Sequence, residues 1–544
     1  MLTINNIFVP LKAEHNLRAL AAARLGLADT DIGKVRLVSK SVDARRFRGA
    51  PLGIVYSIDV SLQGGISEKK ILKRLVKDKN IRQTEKGHTS LWQELEEMRA
   101  SDKALCERPV VVGFGPAGIF AALALAEAGL CPLVLERGLD VKKRREAVDS
   151  FWTDRRFSEQ TNVQFGEGGA GAFSDGKLTS RGGSPLAADV LQAFVEAGAP
   201  EEILYLKKPH IGTDLLCGVV ERLRERIIAL GGEVRFGAQV SDLELDADGA
   251  VKALKLADGG SVQASAVFLG PGHSARDTYA MLCERGVTLT PKAFAVGVRI
   301  EHPQELMDTA QYGRDAGHPL LGAADYMLTY QDKATGRAAY SFCMCPGGQV
   351  VAAASEAGRL VTNGMSLHAR ASGVANAALL VNVMPEDFGG EVLGGIALQR
   401  RCEELAFAAG GGDWSAPVQT VGDFISGKRG STDYLIKPSY MPGTRAADVA
   451  GCLPDFVSAT LAHALPYFGT KIKGFDDAGA PLTGVETRSS APCRIERGKE
   501  DFVSVSTPGL YPIGEGAGYA GGIMSAAVDG IKSALAFLRK IRHN

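Results

Sequence analysis

The chain has 544 residues, too many for one compact core, so two or three domains are expected. Its 45% hydrophobic and 23% charged residues are those of an ordinary globular protein and exclude a disordered or fibrous chain. Formal net charge is zero, yet residues 1–100 hold 18 Lys or Arg against 11 Asp or Glu, a local +7 on an otherwise acidic body.

The first hundred residues read strand, helix, strand, strand, helix over Thr3–Leu11, Asn16–Leu25, Lys34–Lys40, Ile54–Leu62 and Glu68–Lys77. That order suggests a small α/β sandwich of ferredoxin-like kind. Its basic charge suits either docking on the acidic body, the reading favoured here, or contact with a polyanion; Lys40, Arg45, Arg46 and Arg48 form the densest basic run. A polar helical stretch around Leu91–Ala100 links this module to the rest of the chain.

The N-terminus has no basic stretch leading into an apolar run, and the apolar stretches Ile119–Ala126 and Val350–Ala354 fall far short of a membrane span. A cytoplasmic location with no membrane partner is the expectation. Nine cysteines, an odd number scattered from Cys106 to Cys493, argue for reduced thiols, and no zinc-ligand spacing occurs, so no metal is expected.

At Val110-Val111-Val112 a short apolar strand runs into Gly113-Phe114-Gly115-Pro116-Ala117-Gly118 and an Ala/Leu-rich helix, followed by the strand Leu133-Val134-Leu135, then Glu136 and Arg137. This is a β-α-β dinucleotide unit. Gly113 permits the tight turn, Gly115 lets backbone approach a pyrophosphate, Gly118 allows close helix–strand packing, and the helix start offers free N–H groups. Glu136, 18 residues after Gly118, can accept from both hydroxyls of an adenosine ribose and disfavours a 2′-phosphate, which points to FAD or NAD rather than NADP.

Further strands are expected at Glu233–Phe236, Val240–Leu245, Val251–Leu256 and Ala264–Leu269. A β-rich stretch from about Ala293 to Val383, a helical and Gly/Pro-punctuated region over residues 394–480, and a final helix Met524–Lys540 come after them.

The run from Gly509 to Met524, with Gly514-Glu515-Gly516 and Gly521-Gly522-Ile523, resembles the carboxy-terminal flavin motif of FAD-dependent oxidoreductases. The resemblance implies that Glu515 holds the ribityl or pyrophosphate region and that the helix beginning at Gly521, Gly522 and Ile523 points at the flavin pyrimidine, where a helix dipole stabilises the reduced anion. Between the two ends, Gly168, Gly169 and Ala170 in Gln164–Leu178 are expected near the flavin, with Ser174 and Lys177 as donors to phosphate or substrate. Gly270, in Ala266–Ser274, resembles the strand and turn that lead out of an FAD domain. No second β-α-β glycine unit marks a dedicated NAD(P) domain.

Lys40–Arg45, Gly168–Leu178, Pro209–Asp214, Phe342–Gly348, Thr362–Ser366 and Glu486–Ser490 together resemble a bacterial family of FAD-dependent dehydrogenases or oxidoreductases within the broad glutathione-reductase-like superfamily. The resemblance covers almost the whole chain. It implies an α/β fold in which a Rossmann-like FAD-binding domain (residues 107–285 and 485–544) carries an inserted β-rich substrate domain (286–484) and an N-terminal α/β module (1–100). The cofactor would be non-covalent FAD; because a second nucleotide domain is missing, any NAD(P)H donor would bind only transiently at the flavin face.

Four residues are candidates for chemistry. His210 could be an acid, a phosphate donor or a structural ring. Cys343 and Cys345, one apart on an expected strand and so on one face, could relay electrons, although a disulfide between extended neighbours would be strained. Arg488 could clamp a carboxylate or phosphate, or form an interdomain salt bridge; His368 and Arg370 are weaker candidates. Three functions remain: a hydride-transferring oxidoreductase acting on a small organic molecule, an RNA-modifying flavoenzyme using the basic module, and a non-enzymatic FAD-binding interaction protein.

Overall fold

The computed structural model describes residues 1–45, 51–84, 90–101, 108–179 and 184–543; Arg46, Arg48 and Cys106 lie outside them. The eight described cysteines are all free. Among the described residues no helix is long and apolar enough to cross a membrane, and no three metal-ligating side chains converge.

At the centre is a parallel five-stranded sheet in the order Leu510–Pro512, Val267–Leu269, Val110–Val112, Leu133–Leu135, Glu233–Arg235. Strand alternation sorts its side chains by layer. Val111, Val134, Phe268 and Tyr511 face the helices Pro116–Glu127, Leu186–Glu196, Thr213–Ala229 and Ile523–His543. Val110, Leu133, Leu135, Val267, Leu269 and Leu510 face a three-stranded antiparallel sheet built from Val240–Leu245, Val251–Leu256 and Ser261–Gln263, together with the helix Arg276–Glu284. The helix Pro116–Glu127 is apolar all round because other elements cover every side of it.

A second sheet of seven strands runs in the order Thr329–Gln331, Ala338–Cys345, Val374–Val383, Phe294–Pro303, Pro481–Glu486, Ala416–Thr420, Thr444–Ala446. Val296, Val298, Ile300, Leu379 and Val381 pack with Leu461, Leu465 and Phe468 of the helix Asp455–Lys471 on one face. Two strands fall inside residues 394–480, read from sequence as helical and loop-like, and Pro481–Glu486 runs across the expected boundary at 484.

The N-terminal module orders its strands Ile32–Asp43, Gly53–Leu62, Leu2–Pro10, Ile81–Gln83, all antiparallel; the short last strand carried no sequence signal. It is docked on the body. Lys40 N–H donates to Tyr205 O at 2.7 Å and Lys207 N–H to Lys40 O at 3.1 Å. Its core is also closed by Tyr312, Leu321 and Ala324 of the body. Leu321→Asp would bury an unpaired carboxylate in this shared core. We expect limited proteolysis to release the module at least about tenfold faster, as local opening becomes cheaper; an unchanged rate would mean that the shared core does not hold it.

Candidate active site

A cleft of about 260 Å³ opens at the carboxyl ends of the parallel strands, beside Val110–Val112, whose sheet neighbours Leu133–Leu135 and Val267–Leu269 lie on opposite sides. Crevices of this kind take ligands in open α/β sheets. The turn at its floor is sterically closed. Gly113 has φ +90° and a Cβ there would stand 2.2 Å from Gly270 O, while a Cβ on Gly118 would stand 1.9 Å from Gly113 O. Gly115 differs, since the nearest heavy atom to its hypothetical Cβ is Gly169 Cα at 3.6 Å, so its open side is the cleft.

Most of the residues expected around the cofactor line this cleft: Gly113, Gly115, Pro116, Ala117, Gly118, Glu136, Arg137, Gly169, Ala170, Ser174, Lys177, Gly270, Gly514, Glu515, Gly522 and Ile523. Two do not. Gly168 (φ +88°) makes the turn into residues 169–173 and packs toward Ala172 and Val220, away from the cleft, and Gly521 faces a second cavity. Glu136 also differs from expectation. Its Oε2 accepts from Phe114 N–H at 2.7 Å and its Oε1 from Gly138 and Gly166 N–H, each at 2.9 Å, so the carboxylate chiefly fastens the glycine turn and retains acceptor capacity for little more than one ribose hydroxyl. Arg137 stacks on Phe165 at 4.4 Å. Ser174 Oγ donates to Gly171 O at 2.8 Å, and Lys177 Nζ donates to Met344 O.

At the other end Gly514 N–H donates to Asp529 Oδ2 at 2.7 Å, and Arg497 pairs with the same carboxylate, which fixes the strand exit against the last helix. Burial raises the Glu515 carboxyl to about 7 against the Gly522 N–H bond and the Lys292 charge, which pull it down. The folded chain then keeps a proton that the unfolded chain releases near ~4.3, so stability falls as pH rises between that value and about 7. Glu515→Gln keeps the shape, stays neutral and should remove part of that fall in urea midpoints; Glu167 and Glu301, raised to about 7 by burial, supply the rest. An identical pH dependence in the variant would refute the assignment.

The second cavity, about 1950 Å³, lies between the module, the body and the large sheet. It shares with the smaller cleft a wall that includes Lys177, Phe342, Cys343, Ser489 and Glu515. His210 lines this larger cavity rather than the cleft, stacked on His368 at 5.3 Å with Nε2 3.0 Å from His368 O; burial lowers its pKa. Arg370 is held by Asp175.

Arg488 reaches the cleft but is paired inside the protein, as in the salt-bridge alternative. Its Nη2 lies 3.0 Å from Glu403 Oε2, and Arg276 Nη2 lies 2.7 Å from Glu403 Oε1. His273, beside both arginines, has its pKa lowered to about 3, chiefly by burial. The ring is therefore neutral on the cleft wall. Sequence reading passed over His273 as part of a turn, and Glu486 and Asn363, also on the wall, stood in the family-like blocks without a role. The strand at Cys343 and Cys345 is not regular. Its register against Val374–Val383 shifts between Phe342 and Cys345, and Cys343 has φ 40°. Simple alternation, and the strain argument built on it, therefore fails there.

Residues 293–489, which span most of the large sheet, match the family described as "FAD-dependent protein, C-terminal domain-like". A protein of Clostridium beijerinckii is 48% identical over 539 residues, covering 99% of this chain and 98% of that one. The chain belongs to this FAD-dependent family. Solved structures similar to this FAD-dependent protein include the halogenase PltM in complex with FAD (10% identity, 80% of this chain and 69% of that one, TM-score 0.38). Glycine oxidase from Bacillus cereus (10%, 80% and 95%, TM-score 0.31) and L-amino acid deaminase from Proteus vulgaris (12%, 81% and 92%, TM-score 0.34) are also similar. The residues present fit FAD: glycine backbone without side chains could take the phosphates, the acid Glu136 could take an adenosine hydroxyl, and the helix start beside Glu515 could meet the flavin.

Proposed function

We propose that the protein is a FAD-dependent oxidoreductase of the glutathione-reductase-like class, passing a hydride or electron pair between flavin and an organic substrate held in the larger cavity. The observation that carries this reading is the shared wall: a substrate filling the larger cavity meets the flavin end of the cleft across Lys177, Phe342, Cys343 and Glu515. FAD supplies the two-electron chemistry when bound. The protein's residues would orient the partners: Lys177 is held by Met344 O, and the start of the Ile523–His543 helix, which lines the cleft, would stabilise negative charge on a flavin bound there.

Charge on the cavity wall suggests an acidic substrate. Lys40, Lys207, Lys292 and Lys532 line it with no ion pair among the described residues. Three of its five acids are paired, Asp43 with Arg45 at 2.6 Å, Asp325 with Lys208 at 2.8 Å and Asp529 with Arg497 at 2.6 Å, while Glu202 lies 3.8 Å from His368 and burial raises Glu515 to about 7. A volume above the ordinary 300–1,000 Å³ of ligand sites suits a large anion, and a nicotinamide dinucleotide entering transiently as donor is one. We read the module, whose strand order is that of the ferredoxin-like sandwich, as the outer wall of this cavity.

Anaerobic mixing of flavin-loaded protein with NADH or NADPH tests the donor. Loss of the oxidised-flavin absorption supports a nicotinamide-linked reductase. No loss with either, while dithionite still reduces the flavin, removes nicotinamide as donor. A flavin that dithionite cannot reduce would overturn the oxidoreductase reading in favour of a binding role. The basic wall also keeps RNA modification open: tRNA retention that falls steeply with salt and vanishes in a Lys207→Glu, Lys532→Glu double variant would identify the acidic substrate as nucleic acid.

A further inference from the structure

One thiol stands where the cavities meet and a second is buried two residues further on, and the reaction above uses neither. Cys343 lines both the flavin-end cleft and the larger cavity, and Cys345 is buried directly behind it. Neighbours one residue apart on a regular strand sit near the upper limit of Cα separation for a disulfide. The bulge and the left-handed backbone at Cys343 turn the chain out of that extended geometry. Cys345 Sγ consequently lies 3.3 Å from Cys343 O.

Arg299, fully buried, holds the bulge in place. Its Nη1 is 3.2 Å from Cys343 O and 3.9 Å from Cys345 Sγ, while Glu486 takes Nε and Nη2 at 2.6 and 3.0 Å. Lys177 anchors the same segment from the cleft side. Contact with Cys345 lowers the Cys343 thiol, burial opposes it, and the charges of Lys177 and Arg299 add to the lowering; the Cys345 thiol is raised. One thiol on the wall of both cavities, beside two cations, and a second buried next to it is the arrangement an exchanging pair needs. Cys402, Cys452 and Cys493, by contrast, are pushed up to about 12 mainly by burial, as inert core thiols are.

We propose that Cys343 and Cys345 form a redox-active dithiol that exchanges an electron pair with FAD bound in the adjoining cleft. In the oxidising direction one S–S bond forms between the Cys343 thiolate and the Cys345 sulfur, whose S–H bond breaks. The electron pair and that proton pass to oxidised FAD, which becomes the reduced anion; the reverse reaction restores the thiolate and thiol. The inference rests on the flavin reading, and the experiment separates the two.

Ferricyanide-oxidised, flavin-loaded protein is titrated anaerobically with dithionite, and samples are alkylated and mapped by mass spectrometry. The expected uptake is about four electron equivalents, two for flavin and two for a disulfide, with Cys343 and Cys345 protected before reduction and labelled after it. Cys345→Ser should take about two equivalents and show a new long-wavelength absorption from the Cys343 thiolate beside oxidised flavin. Uptake of only about two equivalents by the unmodified protein, with both cysteines labelled in the oxidised state, would overturn the dithiol while leaving the flavin reading intact. Failure to bind FAD, or to reduce it, would sink the flavin reading itself.

Discussion

Gly115→Val is expected to give a folded, colourless protein. Gly115 has φ −81° and ψ −176°, ordinary extended backbone that any residue adopts, so valine meets no conformational penalty. A Cβ there has Gly169 Cα at 3.6 Å as its nearest neighbour, so the added methyls enter the cleft instead of the core. The pyrophosphate must pass where they stand, over the N–H groups at the start of Pro116–Glu127. Overlap of this size costs about 1–3 kcal/mol, and losing the close backbone approach adds to it; together they should weaken FAD binding by at least about 100-fold. The ratio of flavin to protein absorbance after purification, with a fluorescence titration of added FAD, measures it. Gly118→Val is the contrast, because its Cβ would strike Gly113 O at 1.9 Å and should compromise folding itself. A yellow Gly115→Val protein with normal affinity would mean that FAD does not cross this turn.

Glu403→Gln is expected to destabilise the protein by about 3–5 kcal/mol, the cost of breaking a buried ion pair from one side. Glu403 is fully buried and takes Arg276 and Arg488 together, both themselves buried, with Thr487 Oγ1 donating to it at 2.6 Å. Burial would raise its carboxyl, but the two guanidinium groups outweigh that and hold it far below the ordinary range. Its stabilising contribution is therefore complete above the unfolded value of ~4.3 and is lost as pH falls below it. Urea unfolding at neutral pH and near pH ~4 should show the variant's deficit shrinking in acid. A deficit under about 1 kcal/mol at neutral pH, the worth of an exposed pair, would refute this account. The triad joins the helix Arg276–Glu284 to the helix Gly394–Ala409 and to the residues after Pro481–Glu486, so it ties the cofactor sheet to the large sheet beside the cleft.

Legibility from sequence followed the range of the forces involved. Val110–Val112, Leu133–Leu135, Val240–Leu245 and Val251–Leu256 were read with their observed bounds, because their apolar residues and glycine turns are local signals. Ile81–Gln83 was missed, since a three-residue strand with two exposed positions has almost no pattern of its own and exists through its pairing with Leu2–Ile4. The strands Ala416–Thr420 and Thr444–Ala446 were likewise hidden among helical and loop-like neighbours.

At the site the same division holds. Sequence alone determined the glycine turn at Gly113–Gly118, the acid at Glu136 and the glycine-led final helix, because each is a contiguous run whose backbone freedom and spacing state its geometry. Only the tertiary structure decided that Glu136 is largely occupied by backbone N–H groups, that Arg488 is neutralised by Glu403, that His210 belongs to a different cavity, and that Cys343 sits on a bulge facing both. Those outcomes depend on which distant residues arrive as partners, and hydrogen-bond and charge compensation inside a low-dielectric core is settled by packing, which no local stretch of sequence encodes.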